Sequence, residues 1–239
     1  MPPRLRKGLI VLSAVERLPN GRPAGYWLPE AAYPWRALKA MDWDFEFVST
    51  SPGVPPVGGV DRSDPPQRMF LGDPLVRTRL ERTTTADHKD PADFEVVFVA
   101  GGHGAVLDLP GDKRLSDFLS AFHLRGGVIA AVCHGVAALL EVELPGGVPL
   151  VAGRRVTAFS AREEHAVGLG EVVPFFLDEV LTARGALYEA GDPLKRHVVR
   201  DGNLVTGQNP ASALELTKVA MAIVGGREQL PVNWLRRAA

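Results

Sequence analysis

Cysteine is almost absent from this chain: Cys133 is the only one among 239 residues. No internal disulfide can form, and a lone thiol fits a reducing compartment. Excess charge is lacking too. Lys and Arg number 27 against 28 Asp and Glu, a formal net charge of −1, which supplies no basic field for nucleic acid or anionic lipid. No apolar run approaches the roughly 20 residues that a membrane helix needs. Gly8–Leu12, behind a basic N-terminus, is too short for a signal-peptide core. These absences exclude a disulfide scaffold, a nucleic-acid coat and a membrane partner. The expectation is a soluble cytoplasmic protein.

What is present is ordinary globular material: 46% hydrophobic and 23% charged residues, enough to bury a substantial core. Gly8-Leu9-Ile10-Val11-Leu12-Ser13 reads as a buried first strand. Pro29-Glu30-Ala31-Ala32 opens a helix running through Trp35, Leu38 and Met41, with Pro29 at its first position; Pro34 would have to lie within the first turn or restart the helix. Trp43–Val48 alternates as a half-buried strand. Phe94–Ala100 is a strand that runs into Gly101-Gly102-His103-Gly104, and Asp117–Arg125 fits a helix ended by Gly126-Gly127. Further on, Arg155–Phe159 reads as a strand, Pro174–Arg184 as a helix and Ser212–Val224 as a closing helix. His197–Arg200 and Asn203–Thr206 read as a hairpin about Asp201-Gly202.

Strands alternate with helices, so the expected fold is α/β: a three-layer sandwich with a mostly parallel, flavodoxin-like central sheet and helices on both faces. Residues 1–239 are expected to form a single domain. The Pro- and Gly-dense, then charged, stretch at about 51–93 reads as an insertion between strands.

The chemistry gathers at Gly126-Gly127-Val128-Ile129-Ala130-Ala131-Val132-Cys133-His134-Gly135, followed by an Ala/Leu-rich helical segment. A buried strand that ends on a cysteine and turns at once into a helix has the geometry of a nucleophile elbow. Such a turn raises the side chain above the sheet, and a helix N-terminus there would lower the thiol pKa. His134 adjoins Cys133 in sequence, so the two side chains diverge unless the backbone is strained. Its backbone amide is the surer contribution, as one oxyanion donor; Gly102 is placed to give a second, with Gly101 and His103 beside it. No His, Cys and carboxylate group has metal-ligand spacing, so no metal site is expected.

Four segments together resemble the PfpI superfamily, which has the class I glutamine amidotransferase-like fold. They are Val99–Gly104, Ala131–Gly135, Phe159–Glu164 and Thr206–Ser212. Their order and spacing are most similar to the branch of glutathione-independent glyoxalase III enzymes and stress-induced holding chaperones, over Gly8 to about Gly225. The resemblance implies a cofactor-free reaction on a small 2-oxoaldehyde such as methylglyoxal, and a homodimer. Cys133 would be the nucleophile, with His134 as its neighbour. Glu30 would touch the sulfur, and Glu164 would hold the imidazole, with Glu163 one place away as the alternative acid.

An ionised Glu30 beside the thiol would raise its pKa, whereas a protonated one donating to sulfur would lower it, so the pair would titrate together. The resemblance also implies, as alternatives, a holding chaperone and a deglycase that repairs glycated side chains or a weak peptidase or amidase using the same nucleophile; a further alternative is a cysteine oxidation sensor. Amidotransferase domains proper take their histidine from a His-x-Glu motif, and none of the six histidines here has Glu two places on. The chain departs from the branch at Val136, where relatives usually carry Pro, in the Pro/Gly-filled loop Leu140–Leu150 and in the 51–93 stretch.

Overall fold

A computed structural model describes residues 5–226 and 229–236. In chain order it begins with β1 (Lys7–Leu12), a two-residue strand β2 (Tyr26–Trp27), α1 (Leu28–Ala40) and β3 (Asp44–Ser49). Next come β4 (Val57–Gly58), α2 (Pro65–Gly72), α3 (Pro74–Glu81) and β5 (Val96–Val99). The short α4 (Ala105–Asp108), then α5 (Lys113–Leu124) and β6 (Val128–Val132), lead into a 3-10 helix, Cys133–Leu139. Small strands β7 (Glu143–Leu144), β8 (Val148–Pro149) and β9 (Arg155–Val156) precede α6 (Ala161–Ala166) and α7 (Leu177–Ala183). The last elements are β10 (Leu187–Tyr188), β11 (Val198–Asp201), β12 (Leu204–Gly207) and α8 (Ala213–Gly225).

The central sheet has six strands in the order β11-β12-β6-β5-β1-β3. All neighbours pair in parallel except β11 and β12, the hairpin at one edge. Successive side chains of a strand point to opposite faces, and here both faces are apolar. Leu9, Val11, Val97, Val99, Ile129 and Ala131 meet α5, α7 and the 3-10 helix on one side. Ile10, Leu12, Phe98, Ala130 and Val132 meet α1, α2 and α8 on the other. That is the expected three-layer α/β sandwich, and it explains why the strands read as unbroken apolar runs. Full burial of each such side chain contributes roughly 1.5–3 kcal/mol.

Several local expectations are corrected. Pro34 lies inside α1, beyond its first turn, and forfeits an intrahelical hydrogen bond. Packing offsets that cost, because Trp35 meets Phe70 edge-on at 5.5 Å and Phe45 at 6.5 Å. The 51–93 stretch is not bare loop: it carries α2 and α3, and Phe70 and Val76 enter the core. Helix α5 starts earlier than expected, at Lys113, because Asp112 caps it by accepting from the Arg114 and Leu115 amides.

Only Arg155–Val156 of the expected Arg155–Phe159 strand forms, paired with β10 outside the main sheet. Asp201 pairs with Leu204, so the hairpin turns at Gly202-Asn203 rather than at Asp201-Gly202. Among the described residues no helix is long and apolar enough to cross a membrane.

Candidate active site

The site sits where β6 and β5 end, at the carboxyl edge of the sheet, where ligands bind in open α/β folds. Cys133 comes directly after the last residue of β6 with φ 58°, a left-handed conformation that costs a non-glycine residue on the order of 1–3 kcal/mol. This single strained residue reverses the chain. As a result the adjacent side chains do not diverge: Cys133 Sγ lies 3.2 Å from Nδ1 of His134. Gly135 is required by close approach, since a Cβ there would stand 2.5 Å from the Val99 carbonyl oxygen. The elbow continues into a 3-10 helix of seven residues rather than an α-helix.

Nε2 of His134 is 2.6 Å from Glu164 Oε1, with both side chains buried. Glu163 does not take that place. Its carboxylate accepts from the Ser160 amide at 3.0 Å, the Leu194 amide at 2.8 Å and Asn209 Nδ2 at 2.8 Å. With Ser160 accepting in turn from the Glu163 amide, the two form a capping box at the start of α6. The spacing Ser160-x-x-Glu163 was a legible signal that Glu163 is the cap, which leaves its neighbour to face the imidazole.

Glu30 stands in the first turn of α1 and is 1% exposed. Its Oε2 accepts from the Gly101 amide at 2.6 Å, and its Oε1 is buried without a hydrogen-bond partner. The Gly101 amide is thereby occupied by Glu30. The amides of Gly102 and His134 act to lower the thiol pKa. Gly102 has φ 102°, and a Cβ there would meet the Gly25 carbonyl oxygen at 2.1 Å, so only glycine lets the Gly25–Trp27 segment lie this close. His103 Nε2 is 3.2 Å from Glu164 Oε2, and its ring lies 4.1 Å from that of His134. Phe159 packs against His134 on another side, at 4.5 Å between centroids.

Electrostatics divides the site. Burial pushes Glu30 up to about 8, while the Gly101 amide and the neighbouring Cys133 thiol act to lower it. Burial and the Glu30 charge also raise the Cys133 thiol, and the amides of His134 and Gly102 recover only part. The expected lowering of the thiol by a helix N-terminus is therefore not found at rest; Cys133 is 3% exposed and burial outweighs the two amides. Burial lowers His134 as well, partly opposed by Glu164. Burial works against the Glu164 carboxylate, yet hydrogen bonds from His103 and His134 overcome it and bring the group down to about 2.

His103, His134 and Glu164 place potential metal-ligand atoms within 4.8 Å of one another, a cluster that spacing in sequence concealed. Both Nε2 atoms, however, already face a carboxylate oxygen at hydrogen-bond distance. The set is arranged as a hydrogen-bonded chain rather than as a cage converging on an ion.

The sequence profile of the DJ-1/PfpI family matches residues 24–223. A probable glutathione-independent glyoxalase of Schizosaccharomyces pombe is 35% identical over 153 residues, which is 61% of this chain and 59% of that protein. Glyoxalase 3 of Candida albicans is 27% identical over 85% of this chain and 91% of its own length. Among solved structures, the 24 kDa rapid encystment protein of Francisella tularensis superposes with a TM-score of 0.88 at 29% identity, covering 92% of this chain and 99% of its own. Glyoxalase III of Candida albicans gives a TM-score of 0.81 at 25% identity, over 92% and 97%.

Proposed function

This chain belongs to the DJ-1/PfpI family, and on that premise we propose that it is a glutathione-independent glyoxalase converting methylglyoxal or glyoxal to the 2-hydroxy acid. The observation that carries the reading is a carboxyl raised by burial and an imidazole held by a carboxylate, both placed about one sulfur. Glu30, with its pKa near 8, holds a proton beside Cys133, while His134 Nδ1 stands 3.2 Å away to receive the thiol's own.

The steps balance without an external oxidant. Cys133 passes its proton to His134 Nδ1, and the sulfur electron pair bonds the aldehyde carbon. The carbonyl oxygen takes the Glu30 proton, steadied by the Gly102 and His134 amides, to give a hemithioacetal. Glu30, now a carboxylate, removes the hydrogen from that carbon as an enediol forms, and His134 protonates the oxygen on the neighbouring carbon. Glu30 then delivers its proton to the neighbouring carbon and recovers one from the hydroxyl beside sulfur, leaving a thioester. Water hydrolyses the thioester and restores the thiol. One carbon is oxidised and its neighbour reduced within the same molecule.

A Cys133 that is 3% exposed favours a small free aldehyde over a side chain carried on a protein. In the same reading the protein acts in the cytoplasm as a homodimer, supported by its single cysteine and by the family resemblance. Cys133→Ala is expected to abolish lactate formation from methylglyoxal in the absence of glutathione; persistence of turnover would remove the enzyme reading. The holding-chaperone alternative draws on exposed Val54, Val57, Val60 and Leu75 in the 51–93 stretch. It predicts that Cys133→Ala still suppresses client aggregation.

A further inference from the structure

The proposed steps leave His103 unused, although it is bonded to the machinery. Its ring lies against His134, with centroids 4.1 Å apart and planes inclined by 41°. Its Nε2 is 3.2 Å from Glu164 Oε2, and its side chain is 21% exposed where that of Glu164 is 3% exposed. Glu164 thus carries one imidazole on each oxygen. The terminal torsion of a glutamate is soft and broad, so a single hydrogen bond to His134 would leave the carboxylate plane free to rotate. A second partner on the other oxygen removes that freedom.

We propose that His103 is a positioning residue. By pinning Oε2 it sets the plane of Glu164, so that Oε1 keeps a proton on His134 Nε2 and leaves Nδ1 free for the Cys133 proton.

Three substitutions separate the contributions. His103→Phe keeps an aromatic ring but no donor, His103→Gln keeps a donor without the ring, and His103→Ala keeps neither. The readout that does not depend on the glyoxalase reading is the rate of Cys133 alkylation by iodoacetamide at pH 8. His103→Phe and His103→Ala are expected to slow it about tenfold or more. His103→Gln should lose about threefold or less. Alkylation rates within twofold of the unmodified protein in all three, with unchanged melting temperatures, would overturn the proposal.

A second arm measures methylglyoxal turnover, which rests on the proposed function. There kcat should fall in the same order while KM stays within about twofold. If the unmodified protein shows no turnover, the glyoxalase reading fails, and the alkylation series still decides the role of His103.

Discussion

Cys133 lies between two buried carboxylic acids that behave in opposite ways. On the α1 side Glu30 is 1% exposed, accepts one backbone amide and is pushed up to about 8. On the α6 side Glu164 is 3% exposed, meets two imidazoles and falls to about 2. Burial raises both. The difference comes from the partners: two ring nitrogens that can share positive charge on one side, a single amide and a competing thiol on the other. One sulfur therefore has a proton donor to one side and, to the other, an acceptor backed by fixed negative charge, which is the asymmetry that acid–base chemistry needs.

The sharpest way to break this comparison is to neutralise each acid in turn. Glu164→Gln should lower kcat by about 10²–10³-fold, because the imidazolium formed on thiol ionisation loses its counter-charge. Glu30→Gln should also cost about 10²-fold, but with the opposite effect on the thiol. Removing a carboxyl that ionises first takes away its repulsion, so the thiolate absorbance near 240 nm should appear at lower pH than in the unmodified protein. An unchanged or higher midpoint would show that the two groups do not share a proton.

The two acids also predict stability slopes of opposite sign. Glu164 has a folded-state pKa below its ordinary value of 4.5, so its stabilising contribution is present above about pH 4.5 and is lost as the pH falls toward about 2. Glu30 is raised from 4.5 to about 8, so the folded state binds its proton more tightly. Stability from that proton is complete below about pH 4.5 and declines as the pH rises to about 8. Each slope can reach about 1.4 kcal/mol per pH unit. Denaturant titrations from pH 2 to 9 should show the acid-side slope flattened by Glu164→Gln and the neutral-side slope flattened by Glu30→Gln. The same slopes in both variants would dissolve the contrast. The smallest effect is expected from Ser160→Ala, which removes the α6 cap and should cost about 1 kcal/mol, with a smaller loss of activity than Glu164→Gln.

Much of the fold could be read along the chain. Apolar runs such as Leu9–Leu12 and Val128–Val132 mark strands buried on both faces, and glycines mark where the chain reverses. The helices of the 51–93 stretch were hidden because prolines at both helix starts, Pro65 and Pro74, read as loop residues although proline is favoured in a first helical turn. In the site, the strand–Cys–His–Gly pattern and the family resemblance brought Cys133, His134, Glu30 and Glu164 to attention. The bond from His103 to Glu164 could not be seen, since it joins side chains 61 positions apart with no local spacing to mark them.

From sequence alone came the order of the layers, the elbow and the identity of its sulfur, because these depend on local periodicity and on which residues tolerate a tight turn. Tertiary structure alone decided which amide Glu30 occupies, that His103 shares Glu164 with His134, and that burial raises the thiol rather than lowering it. Proton affinities depend on what surrounds a group in three dimensions, and those neighbours are brought together by packing from distant parts of the chain.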